Sequence, residues 1–520
     1  MPALGSRRWW ALGALIVSLL TIGFDATILN VALPTLATSL HASTGSLQWM
    51  VDAYVLVFAG LLLPMGALGD RYGRKRLMMI GLVLFGASSV IATYARSTGP
   101  LIGARAAMGV GAAILTPITL AVIPAIFRPE ERSKAISLAA IGMGVGVPLG
   151  PIIGGYLLKH FWYGSVFLVN VPVAVLALVA VAVLVPESKD PGPRRVDVVG
   201  GLLSTGGLVG FVYGVIEAPA RGWTSGLVLA AIGGGLVLLA AFVWWERRAA
   251  GPMIDLALFA RPRFLWGSLA ATVASFGLFG LLFVLPQFLQ AVQGRDALET
   301  GVRLMPIMLG LIMGVRASEA LAARVGARIP VAAGMFVVAG GLALGATTSV
   351  DSGYALIGTW LSIIGIGVGL TLAPAMSAVL AEVPEERSGS GTALTMTLRQ
   401  IGGALGVALL GSISAAAYTD RLHLAGLPGP AADAARDSIS GAVAVAAQLG
   451  SPGLLLDARL AYVHAMSVVL LVCAAIAVLG GVLVGLFMPA RGNPPKAARV
   501  GRAQEPQPSG ESEHELARVA

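Results

Sequence analysis

Three charged side chains stand inside apolar stretches where water does not normally reach: Asp25, Arg105 and Arg399. Charge within a bilayer is costly, so such residues face a partner, a water-filled cavity or an ion path. Burial pushes a carboxyl toward its protonated form, and a neighbouring guanidinium pulls it back. A carboxylate that gains and loses an arginine neighbour can therefore take up and release a proton. Asp25 lies about 14 residues, ~21 Å, into the first apolar run, and Arg105 about 5 residues, ~8 Å, into the fourth from its opposite end. At those depths an Asp25–Arg105 pair is within geometric reach, either as a proton switch or as a fixed structural pair. Asp52, in Gln48-Trp49-Met50-Val51-Asp52-Ala53-Tyr54, and Glu217, before Ala218-Pro219, sit at the ends of the second and seventh runs. Both are candidate proton carriers, with a solvated helix end as the plainer alternative. Arg316 and Glu319 are three residues apart and share a helical face, which suits a gate or a structural pair. Gln287, Gln290 and Gln293 also share a face and are candidates for lining a vestibule.

The elements that must position these groups are membrane spans. Of 520 residues, 57% are hydrophobic and 12% charged, against about 25% charged in soluble domains. Mean hydropathy is +0.85. Apolar runs of about 20 residues, the length that crosses the hydrocarbon core, recur along the chain. They place fourteen spans at roughly 11–34, 47–69, 77–96, 100–126, 134–158, 164–186, 197–217, 225–245, 264–290, 300–322, 329–348, 353–381, 389–417 and 464–489. The first run reads as a span rather than a leader. With the N-terminus inside, 24 of the 35 Lys and Arg fall in inner segments and 8 in outer loops. That bias predicts inside termini and an even number of helices. The single cysteine, Cys473, permits no internal disulfide. The net charge of +9 belongs to the inner loops, so it does not point to nucleic acid.

An internal repeat organises the spans. Pro129-Glu-Glu-Arg-Ser133 recurs as Pro384-Glu-Glu-Arg-Ser388, and Leu68-Gly-Asp-Arg-Tyr-Gly-Arg-Lys75 is echoed by Leu321-Ala-Ala-Arg-Val-Gly-Ala-Arg328. The offsets are 255 and 253 residues. The expected organisation is a six-helix bundle over 1–190, two inserted helices and an inner linker over 191–262, and a second six-helix bundle over 263–490. The second bundle includes a long outer loop at 418–463, holding a short helix or a hairpin, and a disordered tail follows over 491–520. Parallel six-helix repeats are the plan of a rocking transporter with its site between the halves.

Two glycine-bearing stretches carry further signal. In Gly66-Ala-Leu-Gly-Asp70-Arg71-Tyr-Gly73-Arg74-Lys75, Gly73 permits a tight turn. Asp70 can pair with an arginine or meet a helix N-terminus. Such a cluster can latch the halves, or it can merely set topology. In the fifth span Gly142, Gly146 and Gly150 recur every fourth residue, followed by Pro151, Gly154 and Gly155. A face of that kind lets another helix come very close, and an internal proline deletes one backbone hydrogen bond.

These strings resemble the motifs of the major facilitator superfamily. The loop after the second span is similar to motif A, the stretch from Arg105 through Gly109 and Gly111 to motif B, and Gly142 to Gly155 to the antiporter motif C. The first span, Phe24-Asp25-Ala-Thr27-Ile-Leu-Asn30-Val-Ala-Leu-Pro34, resembles the pattern of fourteen-helix drug:proton antiporters of the EmrB/QacA type. Arg399-Gln400 followed by Gly402, Gly403 and Gly406 is also frequent there. The resemblance covers about residues 10–490. Met108 stands where motif B usually has glutamine, Phe24 where leucine precedes the aspartate, and Ala323 where the second-half echo of motif A would have aspartate.

The resemblance implies an all-α polytopic fold and a proton-coupled exporter of lipophilic, often cationic, small molecules. Its partners would be the small-molecule substrate, protons and the bilayer. It implies a monomeric multi-pass protein of the cell membrane with both termini cytoplasmic and no cofactor. Export of an endogenous metabolite or lipid, a solute:proton symporter of the same fold, and a non-transporting membrane sensor are the alternatives. The sequence contains no Walker A string, no clustered metal-ligand spacing and no Gly-x-Ser-x-Gly elbow, so nothing in it points to an enzyme.

Overall fold

The computed structural model describes residues 7–189, 197–249, 256–383, 388–424 and 427–489. The second Pro-Glu-Glu-Arg run, at 384–387, and the tail at 491–520 lie outside the described residues. Fourteen long helices are α1 (Arg7–Ser39), α2 (Thr44–Tyr72), α3 (Arg74–Thr93), α4 (Thr98–Ile126), α5 (Pro129–His160), α6 (Asn170–Leu184), α7 (Val198–Arg221), α8 (Gly226–Glu246), α9 (Pro262–Gln287), α10 (Met305–Val325), α11 (Arg328–Gly345), α12 (Tyr354–Leu380), α13 (Ser388–Arg421) and α14 (Pro452–Phe487). Counting short lead-in turns, thirteen of them are long and apolar enough to cross a bilayer. The remaining one, α5, has 32 residues, more than the ~20 a crossing needs. Large apolar side chains such as Leu202, Val237, Ile312, Met313 and Leu479 are exposed around the bundle, which suits lipid and not water.

Chain breaks have local causes. Short helices Ser165–Leu168 and Ala297–Arg303 precede α6 and α10. Each break lies just before a proline, Pro172 or Pro306, which cannot donate to the carbonyl four residues back. α14 begins at Pro452, a dozen residues before the hydropathy boundary at 464. The stretch between α13 and α14 is neither one helix nor a hairpin. It forms two helices, Gly429–Asp437 and Ile439–Leu449, separated by Ser438, whose hydroxyl accepts from the Gly441 N–H. Gly450 ends the second with φ +58°.

The helix pairings of the first six helices recur among the last six. α1 packs on α5 as α9 does on α13, α2 on α4 as α10 on α12, and α3 on α4 and α6 as α11 on α12 and α14. Gly73 and Gly326, the turn glycines of the 253-residue echo, both take positive φ, +113° and +79°. α8 presents most of its side chains outward. α7 is not peripheral, because it packs on both α2 and α13, across the seam of the two halves.

Candidate functional site

With an even number of spans, α1 starts and α14 ends on one face, called here the terminal side. Asp25 stands within α1 and is fully buried. Its neighbourhood is set by the glycines of α5. A Cβ at Gly146 would lie 2.6 Å from the Leu20 carbonyl oxygen, and one at Gly154 2.6 Å from Ile28 Cγ1. At Gly150 it would collide with the Thr27 hydroxyl and the Phe24 carbonyl. Only glycine lets α5 lie this close to the turns that flank Asp25. Gly142 belongs to the same helix, but its packing lies outside what is described.

Arg105 of α4 meets Asp25 at 2.6 Å between Nη1 and Oδ2. Both side chains are essentially closed to solvent. The guanidinium also donates from Nε to the Met50 carbonyl of α2 at 3.0 Å, and stacks over the Tyr54 ring, 4.4 Å from its centroid. The other carboxylate oxygen accepts from Asn170 Nδ2 of α6 at 3.0 Å. One carboxylate therefore joins α1, α4 and α6, and its arginine adds α2. A buried pair held by further hydrogen bonds is costly to break on one side only, because the survivor is left charged and unpaired. Asn170 was not read as a site residue. Its only sequence signal is an amide opening an apolar run, and that is too common to single out.

Asp52, which lies between Met50 and Tyr54 along α2, is also fully buried, and neither carboxylate oxygen has a hydrogen-bond partner among the described residues. An ionised carboxylate in that state is very unfavourable, so the site suits a protonated acid or one reached by water or a ligand. Glu217 is elsewhere. It pairs with Arg221 at 2.6 Å on the exposed end of α7. Arg399 of α13 donates from Nε to Ser275 Oγ of α9 at a long 3.4 Å. Arg316 and Glu319 are exposed and, among the described residues, form no ion pair with each other.

The motif-A loop is held from within its own half. Gly73 makes the turn into α3, and the Glu187 carboxylate that follows α6 caps it. It accepts from the Lys75 backbone N–H at 3.1 Å and lies 3.8 Å from Arg76 Nε. Lys75 Nζ donates to the Ala182 carbonyl at 2.6 Å, and the Arg74 N–H to that of Ser188 at 3.0 Å. Arg71 stacks on Tyr72, 5.4 Å from its ring. A Cβ at Gly66 would lie in ordinary contact with Pro117 of α4, 3.4 Å away. Asp70 lies in the last turn of α2, with its side chain outside what is described. Glu187 is a second residue that sequence reading missed, since it is about 110 residues from the loop it caps.

The hydrogen bonds joining the two halves, among the described residues, all lie toward the side opposite the termini. Gln48 of α2, fully buried, donates from Nε2 to the Val407 and Ala408 carbonyls of α13 at 3.1 and 2.8 Å. Gln290 donates to the Val31 carbonyl at 2.9 Å, and Lys159 reaches Asp296 at 2.9 Å. A Cβ at Gly155 would stand 2.5 Å from the Ala297 carbonyl, and one at Gly301 would strike that of Pro151. The end of α5 thus abuts the second half. The glutamines expected to line a vestibule are spent on contacts instead: Gln287 on Phe283, Gln290 on α1, and Gln293 on the Ser352 carbonyl. Buried amides seek the nearest free carbonyl, and these helix ends supply one.

The folded plan and this charged core define a membrane transporter of two similar halves. The Major Facilitator Superfamily model matches residues 15–407, and the chain belongs to that family. It is 37% identical over 486 residues to the "Multidrug efflux pump LfrA" of Mycolicibacterium smegmatis, covering 91% of this chain and 96% of the relative. It is 36% identical over 417 residues to the "Puromycin resistance protein pur8" of Streptomyces alboniger, covering 79% and 82%. In fold it is similar to a bacterial homologue of the human lysosomal transporter Spinster, with a TM-score of 0.67 at 19% identity, over 94% of this chain and all of that one.

Proposed function

We propose that this chain is a proton-driven antiporter that exports lipophilic small molecules, cations among them, from the cytoplasm or inner leaflet across the cell membrane. The observation that carries the reading is the buried Asp25–Arg105 pair, shared among helices of one half and seated on the glycine face of α5. Relatives named for multidrug efflux and puromycin resistance support the cargo class. The excess of Lys and Arg on the terminal side supports cytoplasmic termini.

In this reading the two six-helix bundles rock about the seam where α5 meets the second half. The described cross-half bonds hold the far side shut, so this is the state in which cargo enters from the cytoplasm. A proton arriving at Asp25 neutralises the carboxylate and releases Arg105, which keeps the Met50 carbonyl and the Tyr54 face as lesser partners. Deprotonation toward the cytoplasm restores the pair. Asp52, without a partner, is the second proton carrier. Glu217, already bonded to Arg221, belongs to the far-side surface, and the motif-A residues Asp70, Arg71, Gly73, Arg74 and Lys75 form the terminal-side latch. One chain contains the whole site, so the working unit is a monomer.

The test is uptake of an ethidium-like cation into inverted vesicles with and without an acid-inside proton gradient. Gradient-dependent movement that Asp25→Asn abolishes while the protein remains folded is expected. Full activity in Asp25→Asn would refute the role given to it, and proton-driven loss of the cation from the lumen, in the same direction as the protons, would overturn antiport.

A further inference from the structure

The second-half copy of the motif-A turn lacks the carboxylate of the first. Ala323 stands at the position of Asp70, and a cavity of about 480 Å³ opens beside it on the terminal side. Its wall brings together Arg263 from the start of α9, Glu319 and Arg324 from the end of α10, and Pro374 from α12. None of these belongs to the Asp25 site.

The two arginines are under-used. Arg263 Nε is buried without a hydrogen-bond partner, and the nearest carboxylate oxygen, of Glu382, is 3.7 Å from Nη1, too long for a hydrogen bond. Arg324 is exposed, with no hydrogen bond or ion pair among the described residues. The hydroxyls in the wall do not compete as donors, because Ser318 and Ser377 already donate to the Val315 and Ala373 carbonyls of their own helices. Two guanidinium groups and the Glu319 carboxylate leave a single net positive charge in the wall, and behind it the Glu382 carboxylate is offset by Arg261, 3.8 Å away. Arginine forks match the paired oxygens of phosphate, and small apolar walls leave room for the substituent it carries. A doubly charged anion would overbalance the site and meet Glu319.

We propose that this cavity is a binding site for a phosphodiester monoanion, gripped by Arg263 and Arg324, with Glu319 excluding more highly charged anions. The same chemistry is offered by a bilayer lipid headgroup and by a soluble phosphodiester. The site is separate from the proton pair, so its occupancy is read by binding and not by transport.

The experiment uses the purified full-length protein in neutral detergent. Binding of phosphatidylglycerol, of soluble glycerophosphoglycerol and of uncharged diacylglycerol is followed by native mass spectrometry and by calorimetric titration. Arg324→Gln removes an exposed donor at little risk to folding, and Ala323→Asp installs the first-half carboxylate. Saturable binding of a phosphodiester, weakened about tenfold in each variant, is expected, since one charge-assisted contact is lost or opposed. Binding of phosphatidylglycerol alone assigns a lipid, and equal binding of the soluble probe assigns a soluble ligand. Diacylglycerol binding as tightly as phosphatidylglycerol, no phosphodiester binding, or variants that bind like the parent would each overturn the proposal.

Discussion

In the first half a carboxylate and a guanidinium meet at 2.6 Å in the middle of the bundle, with Asn170, Met50 and Tyr54 around them. In the second half α12 takes the place of α4, and there it buries Trp360 instead of a charge. In that half Arg399, within α13, holds only a long contact to Ser275. The helix pairings are the same and the close glycine seams are the same: Gly402 and Gly406 set α13 against α9 as Gly146 and Gly150 set α5 against α1. Packing and charge have therefore separated between the copies. The scaffold requires both halves, whereas proton chemistry requires charge in one. The turns diverge likewise, since Gly73 is capped by Glu187 while Gly326 borders an open cavity.

The sharpest way to break this comparison is to remove one arginine from each half. Arg105→Gln strands Asp25 and is expected to lower stability by about 3–5 kcal/mol, while Arg399→Gln should cost roughly 1 kcal/mol or less. Denaturation in detergent decides it, and equal losses would dissolve the asymmetry. Next come the seams. Gly146→Ala and Gly402→Ala each force a methyl against a backbone carbonyl and should each cost about 1–3 kcal/mol. Only Gly146→Ala should also uncouple efflux from the proton gradient, because only that seam positions Asp25. Comparable uncoupling in both, measured in vesicles, would put the mechanism in the seams and not in the charge.

A smaller contrast lies in the turns. Alanine at Gly73 or Gly326 must adopt a left-handed backbone, at ~1–2 kcal/mol. At Gly73 the new Cβ also meets Glu187 Oε1 at 2.9 Å, so Gly73→Ala should be the more damaging. Glu187→Ala, which removes the atoms that Cβ meets, should narrow that gap in a thermal unfolding series.

The smallest expected effect is a pH response of the contact between halves. The Asp296 carboxyl is held below its usual range by the Glu299 backbone N–H and, next, by Lys159. A depressed carboxyl pKa means the joined state gains stability above the ordinary value near ~4 and loses it as pH falls through the depressed value. Spin-label distances across the far side should therefore lengthen slightly only in acid. Asp296→Asn should remove that dependence, and a response near neutral pH would assign the contact to another group.

Much of the site was legible before folding. Asp25 and Arg105 announce themselves because a charge in an apolar run needs a reason, and their depths allowed them to meet. The α5 glycines were legible as a close-approach face, but the partner was not, because a glycine stripe does not say which helix it admits. Gln290 looked like a vestibule residue and proved to hold α1. Its amide bonds to whatever carbonyl the neighbouring helix offers, and that depends on helix order in the plane of the membrane. Arg316 and Glu319 shared a face as spacing requires, yet a shared face does not oblige two exposed side chains to bond.

By itself the sequence determined the number of spans, the repeat, and which charges stand in the membrane. These follow from hydropathy, offset and residue type, all local or periodic quantities. The tertiary structure alone decided that Asn170 completes the Asp25 site, that Glu187 caps the turn at Gly73, that Gln48 ties α2 to α13, and that the second-half turn borders a cavity lined by arginines. In lipid, helices are not sorted by hydrophobic burial. Which polar groups meet is settled by close packing and by the need of each buried donor for an acceptor, and both are known only once the helices have neighbours.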